Sequence, residues 1–201
     1  KNSSFPTDKE IAELLKNCGM SHLPEELPVE EGCIDPAAVG YPILNYNAIA
    51  QGYSCDIIAG YLYGLGVKDM LVDIGEIWCD GVNQSGKPWS VGVDRPLDRP
   101  TDGSEADDAG LDGIWSSEGK PCGIVTSGNY RKYYIRDGRK YAHTINPHTG
   151  YPVQHNLLSA TVVSSGNAAE ADAVATWCMV EGLEGAKELI MGNTALEGYL
   201  I

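Results

Sequence analysis

The chain has 201 residues, 43% of them hydrophobic and 21% charged, with a formal net charge of −14. That length suits one domain, or one with an appendage, and is enough for a buried core. Nucleic acids and anionic membrane surfaces are bound by neutralising phosphates, so this charge argues against both as partners, and no run approaches the ~18 apolar residues of a membrane span.

In chain order, FPTDKEIAELLKNCGM carries a capping box, Thr7 followed three residues on by Glu10, with an apolar stripe of Ile11, Leu14 and Leu15 and a stop near Gly19. Residues 20–44 are rich in Pro and Gly and are expected to hold short strands. AIAQGYSCDIIAGYLYGLG predicts a helix with Ile49, Ile57, Ile58 and Leu62 inward, ending at Gly64 or Gly66. VKDMLVDIG (67–75) and KPWSVGV (87–93) read as partner strands. Residues 94–118 hold eight acids and two arginines among turn formers, and are expected to be one solvated acidic loop insert. CGIVTSG returns to strand. YRKYYIRDGRKYAHTI reads as a hairpin turning at Asp137-Gly138. NPHTGYPVQHN follows as a loop and LLSATVVSS as a buried strand. The last clear element is a helix capped by Asn167, with Glu170 in third position and Gly182 or Gly185 ending or interrupting it. Helices and strands without a βαβ rhythm predict an α+β fold with largely antiparallel sheet, in a single domain spanning 1–201.

The six cysteines (18, 33, 55, 79, 122, 178) show no CxxC pair and no ligand spacing, so they read as small buried or half-buried thiols. There is no starting Met, signal peptide or lipidation signal at Lys1, as expected of a piece whose address has been removed.

Four features could carry chemistry. Asp172 and Thr176 lie one helical turn apart, on one side of the helix, and are hard oxygen donors of the kind Mg²⁺ accepts. The same spacing also suits an acid complementing a helix dipole and a Thr bonding back to a carbonyl. The loop YAHTINPHTGYPVQHN gathers His143, His148 and His155, candidate general acids or bases or simply exposed loop residues. Five of the 14 Lys and Arg fall between Arg131 and Lys140, where strand alternation divides them between two faces. Asn45, Asn47 and Gln51 stand before and at a helix start, where free N–H groups receive anions.

Taken in order, LNYNAIAQGYSCD, GKPWSVGVDRP, VTSGNYRKYYIRDGRKYAHTINPHTGYPVQHNLLSATVV and EADAVAT resemble the ApbE family of flavin transferases, from about residue 40 to about 190. The resemblance implies an Mg²⁺-dependent enzyme that binds FAD and transfers its FMN half to a Thr or Ser of an exported acceptor flavoprotein, releasing AMP. By position in the family's motifs, Asp172 and Thr176 would be metal ligands, joined by the carbonyls of Ala48 and Ala175. Asn45, Gln51 and Ile145 would contact the flavin, and His143, opening the H-x-I-[DN]-P-x-T-G loop, would take the proton from the acceptor hydroxyl. The resemblance also implies a periplasmic location, lipid-anchored in the full-length protein. With water as acceptor the same site would be an FAD pyrophosphatase giving FMN and AMP. Without turnover it would be a flavin-binding scaffold.

Three departures accompany the match. Asn45 stands where the family commonly has Asp, DIGEIW lacks a usual second Gly, and the family's amino-terminal segment, which adds flavin contacts, has no counterpart before Lys1. The last of these is expected to weaken FAD binding.

Overall fold

In the computed structural model, which describes residues 6–23, 25, 29–30, 33–34, 43–96, 110–129, 133–136 and 139–201, Thr7 and Glu10 start helix α1 (Asp8–Leu15) as a reciprocal cap. The Glu10 carboxylate accepts from Thr7 N–H at 2.7 Å, and Thr7 Oγ1 accepts from Glu10 N–H at 3.3 Å. Two short strands follow, β1 (Val29–Glu30) and β2 (Cys33–Ile34), paired antiparallel. With residues 145–152 this segment makes the smaller of two compact units, Lys1–Asn45 with Ile145–Pro152. Within it, Gly150 (φ +75°) lies so close to α1 that a Cβ there would come 2.6 Å from Ile11 Cγ2, and Tyr151 Oη donates to Asp8. Asn146 shapes the Pro-His-Thr-Gly turn by accepting from the N–H of His148 at 2.8 Å. Leu14 of the apolar stripe is exposed.

The larger unit, Tyr46–Thr144 with Val153–Ile201, contains helix α2 (Ala50–Gly64) and the strands β3 (Met70–Asp73), β4 (Ile77–Asp80), β5 (Ser90–Asp94), β6 (Leu111–Ser116), β7 (Cys122–Gly128), β8 (Tyr133–Arg136), β9 (Arg139–Ala142) and β10 (Ser159–Ser164). Helix α3 (Ala168–Met191) and strand β11 (Leu196–Leu200) complete it. Among the described residues a five-stranded antiparallel sheet runs in the order β11-β10-β7-β4-β3. The α+β class is that expected.

The sheet is covered on both faces, and every residue of β10 is buried, its Ser and Thr included. One face carries Val125, Ala160 and Val162 against Ala171, Ala175, Cys178 and Met179 of α3. The other carries Cys79, Cys122, Ile124 and Val163 against Trp89, Val91 and Trp115 of the β5–β6 hairpin. Helix α2 covers Met70, Val72 and Trp78. In α3 the helix is broken at Gly182 (φ 79°, ψ −173°), where the His155 ring fills the gap and its Nε2 donates to the Met179 carbonyl at 2.9 Å. Gly182 is thus the interruption the sequence offered as one of two. His155 holds that kink.

Several expectations need correction. The partner of β3 is β4, reached through a tight turn at Gly75 (φ +105°), while β5 pairs with β6. Strand β6 lies inside the stretch expected to be solvated loop throughout; residues 97–109 of that stretch fall outside the described residues. The buried positions of α2 are Gly52, Cys55 and Ala59, with Leu62 partly buried, whereas Ile49, Ile57 and Ile58 are exposed. The reason is distance: α2 runs against the start of α3 so closely that a Cβ on Gly52 would fall 2.2 Å from the Ala168 carbonyl oxygen. Only small residues fit that approach. The β8–β9 pairing leaves the expected two residues between Arg136 and Arg139, and the Asp137-Gly138 turn itself lies outside the described residues, as do the side chains of the basic hairpin.

Candidate active site

Helices α2 and α3 start side by side, and each supplies a carboxylate to the other's free amides. Asp56 of α2 accepts from Ala168 N–H at 2.8 Å and Ala169 N–H at 2.9 Å. Asp172 of α3 accepts, through Oδ2, from Gly52 N–H at 3.0 Å in the first turn of α2. These exchanges satisfy orphan helix-start donors and place charge against positive dipole ends. Gly123 of β7 completes the junction, since a Cβ there would lie 2.3 Å from Ala168 Cα. Asn167 caps α3 as expected, its Oδ1 accepting from Glu170 N–H at 2.6 Å, and Glu170 in turn accepts from Ser164 Oγ.

A cleft of about 520 Å³ opens beside this junction, within the range of small-molecule sites. Gln51 and Thr176 enter it from the two helices, and Thr126, Ser127 and Gly128 from the end of β7. His143 and Thr144 line it from the segment after β9, and Glu76 and Asp94 add carboxylates. Ser127 Oγ lies 3.4 Å from Thr176 Oγ1. The Gln51 amide lies over Gly75, so that a Cβ there would come 2.9 Å from Nε2. The His143-Thr144 segment is held by Asn129, which is buried and whose Oδ1 accepts from Thr144 Oγ1 at 2.7 Å while its N–H donates to the Leu158 carbonyl at 3.0 Å. Among the described residues lining the cleft there is no Lys or Arg.

Asp172 itself is 5% exposed, one turn before Thr176. Burial pushes its carboxyl above the ordinary range, partly offset by the Gly52 hydrogen bond. Among the described residues it has no cationic partner and no second hydrogen bond. A buried carboxylate so placed is costly unless a cation joins it. The side-chain donors here, a carboxylate and an alcohol, are hard oxygens, so the residues present fit Mg²⁺ better than a softer metal. The described residues hold no cluster of three or more His, Cys, Asp or Glu, so a metal would depend on such mixed oxygens.

The expected residues divide between the units. Gln51, His143 and Thr176 meet in the cleft, Ala175 is buried on α3 beside Thr176, and Ala48 lies in the turn that enters α2. Asn45 and Ile145 belong to the smaller unit, where Ile145 is exposed and bridges to Pro152. Glu76, Asp94, Ser127, Asn129 and the Gly52 amide were not singled out by sequence. Sheet pairing and helix contact bring them in from distant segments, and no local pattern marks them.

The chain matches the ApbE family over residues 1–200. It is 33% identical over 199 residues to a Haemophilus influenzae protein named FAD:protein FMN transferase, a match covering 98% of this chain and 54% of that protein. The Escherichia coli K12 protein of the same name is 36% identical over 159 residues, 79% of this chain and 42% of its own length. Among solved structures, the apo form of the Pseudomonas stutzeri flavinyl transferase ApbE superposes with a TM-score of 0.75 at 30% identity, covering 100% of this chain and 56% of that one. The Vibrio cholerae flavin transferase ApbE gives 0.71 at 27% identity, covering 100% and 62%. The chain spans about half the length of the curated relatives it matches.

Proposed function

Because this chain belongs to the ApbE family, we propose that it serves transfer of the FMN half of FAD onto a Thr or Ser hydroxyl of an acceptor flavoprotein, with release of AMP and dependence on Mg²⁺. The observation that carries this reading is the cleft where Gln51, Thr176 and His143 converge, with Thr176 one helical turn beyond the buried Asp172. Asp172 and Thr176, with the carbonyls of Ala48 and Ala175, would hold Mg²⁺. When bound, the ion offsets diphosphate charge and draws electron density from the phosphorus.

The chain's own residues supply the rest. The chain's net charge of −14 favours a cation-accompanied diphosphate over a bare one. Gln51, fixed over Gly75, offers an amide that donates and accepts toward a flavin edge. His143 accepts the hydroxyl proton of the incoming Thr or Ser as that oxygen attacks the phosphorus nearer the flavin, and AMP departs. General-base assistance of this kind is typically worth about 10² to 10⁴-fold. Asn129 and Thr144 hold the imidazole's backbone in place. Asn45 and Ile145 of the smaller unit are proposed flavin contacts by their motif positions alone. The same reading carries an exported, lipid-anchored protein as its location; no helix of the described residues is long and apolar enough to cross a membrane.

The test is to incubate the chain with FAD, Mg²⁺ and a flavin-accepting redox domain, then weigh the acceptor and assay AMP. The expected outcome is an acceptor heavier by one FMN less water, with equimolar AMP. AMP release with an unmodified acceptor would give the pyrophosphatase instead, and neither product at saturating FAD would refute both.

A further inference from the structure

Cys79 of β4 and Cys122 of β7 are directly opposed in antiparallel register, and both are buried, at 0% and 4% exposure. Their sulfurs lie 3.5 Å apart, although the residues are 43 apart in sequence. Directly opposed residues in an antiparallel pair have Cα atoms about 4.5 or 5.5 Å apart, and both values fall inside the roughly 4.4–6.8 Å window of a disulfide. The side chains already point to the same face, beneath Trp89 and Trp115. The remaining approach requires side-chain rotation and no change of register. We propose that Cys79 and Cys122 form a cross-strand disulfide linking β4 to β7 when the protein folds in an oxidising compartment.

The other described cysteines lack this arrangement. Cys55 gives its thiol to the Glu76 carbonyl at 3.1 Å, and burial pushes the Cys55 and Cys178 thiols up to about 11, as in inert core thiols.

The bond forms by exchange with an external disulfide such as oxidised glutathione. One protein thiolate attacks a glutathione sulfur and expels one glutathione thiolate. The second protein thiolate attacks the mixed disulfide and expels the other. Two protons and two electrons leave the protein, and the two departing glutathione molecules take them up as thiols. Since neither sulfur reaches solvent, exchange takes place while the chain folds or when the β4–β7 pairing opens. The bridge would close a long loop that includes the β5–β6 hairpin, and it would fix the base of the strand whose far end, Thr126–Gly128, lines the cleft.

The test is to unfold the 201-residue chain, refold it in a glutathione redox buffer or in reductant, alkylate free thiols in denaturant, and map peptides without reduction. The expected result is a Cys79–Cys122 linked peptide, an intact mass lower by two hydrogens, and an unfolding equilibrium constant smaller by on the order of 10² to 10³-fold than the reduced form. That gain should vanish with dithiothreitol and be absent in Cys122→Ala. Recovery of both cysteines alkylated, or joined to glutathione or to other cysteines, would overturn the proposal. Should Cys122→Ala fail to fold, the wild-type peptide map decides alone.

Discussion

Asp172 meets two demands that a single substitution can separate. Its Oδ2 caps the first turn of α2 through Gly52, a task any carbonyl-like oxygen performs, whereas holding a cation needs the charge. Asp172→Asn is therefore expected to fold with its cap intact and to lose the stabilisation that Mg²⁺ gives the wild type. That stabilisation is about 2.7 kcal/mol when the ion is at about 100 times its Kd, read as a thermal-unfolding shift with and without EDTA. Asp172→Ala removes the acceptor as well and should cost about 1 kcal/mol more in the metal-free protein. An undiminished Mg²⁺ shift in Asp172→Asn would remove Asp172 from the metal's shell. His143→Ala should lower the transfer rate by about 10² to 10⁴-fold with FAD affinity little changed, checked by single-turnover assay beside flavin fluorescence. An equal loss in Asn129→Ala, restored in part by Asn129→Asp, would mark Asn129 as the residue that positions the His143 segment. The chemistry-bearing types at Asp172, Thr176 and His143 stand out in the sequence because they belong to short contiguous motifs. Asn129 and Ser127 do not, because their role arises only when β7 is laid against α3 and the segment after β9.

At the scale of elements, the junction of α2, α3 and β7 depends on atoms that are missing. A Cβ on Gly52 or Gly123 would overlap the Ala168 backbone at 2.2 or 2.3 Å, and backbone cannot swing aside. Gly52→Ala and Gly123→Ala should each cost about 1–3 kcal/mol or more in urea denaturation and should disturb the cleft, while Gly60→Ala, with open space around it, should not destabilise. This is also why the sequence misleads about α2: counting large aliphatics points to Ile57 and Ile58, yet the close approach selects Gly52, Cys55 and Ala59 for the inner face. Strands β7 and β10 are legible because both faces are buried. Strand β4 has four residues, and β6 carries exposed Leu111 and Ile114 in an acidic stretch, so neither offers a period to read. At the other end of the chain, the hydrogen bonds from Thr7, the backbone one foremost, hold the Glu10 carboxyl below its ordinary value. A depressed acid contributes stability that is present above about pH 4.5 and is lost as pH falls through the lower folded value. A carboxyl-carbon NMR titration should place the Glu10 midpoint below that of an unstructured peptide, and Thr7→Ala, which keeps the backbone donor and removes the hydroxyl, should return it only in part.

For the whole molecule the governing quantity is charge. A net −14 opposes a ligand carrying a diphosphate. Composition alone sets that problem, and the proposed answer lies on α3, where Asp172 is buried one turn before the cleft-lining Thr176. The most direct measurement is the affinity of the chain for FAD, followed by flavin fluorescence, in saturating Mg²⁺ and again in EDTA. A cation between Asp172 and Thr176 predicts binding at least about tenfold tighter with Mg²⁺, given a repulsion of order 4 kcal/mol between close like charges. Equal affinity in the two conditions would contradict it.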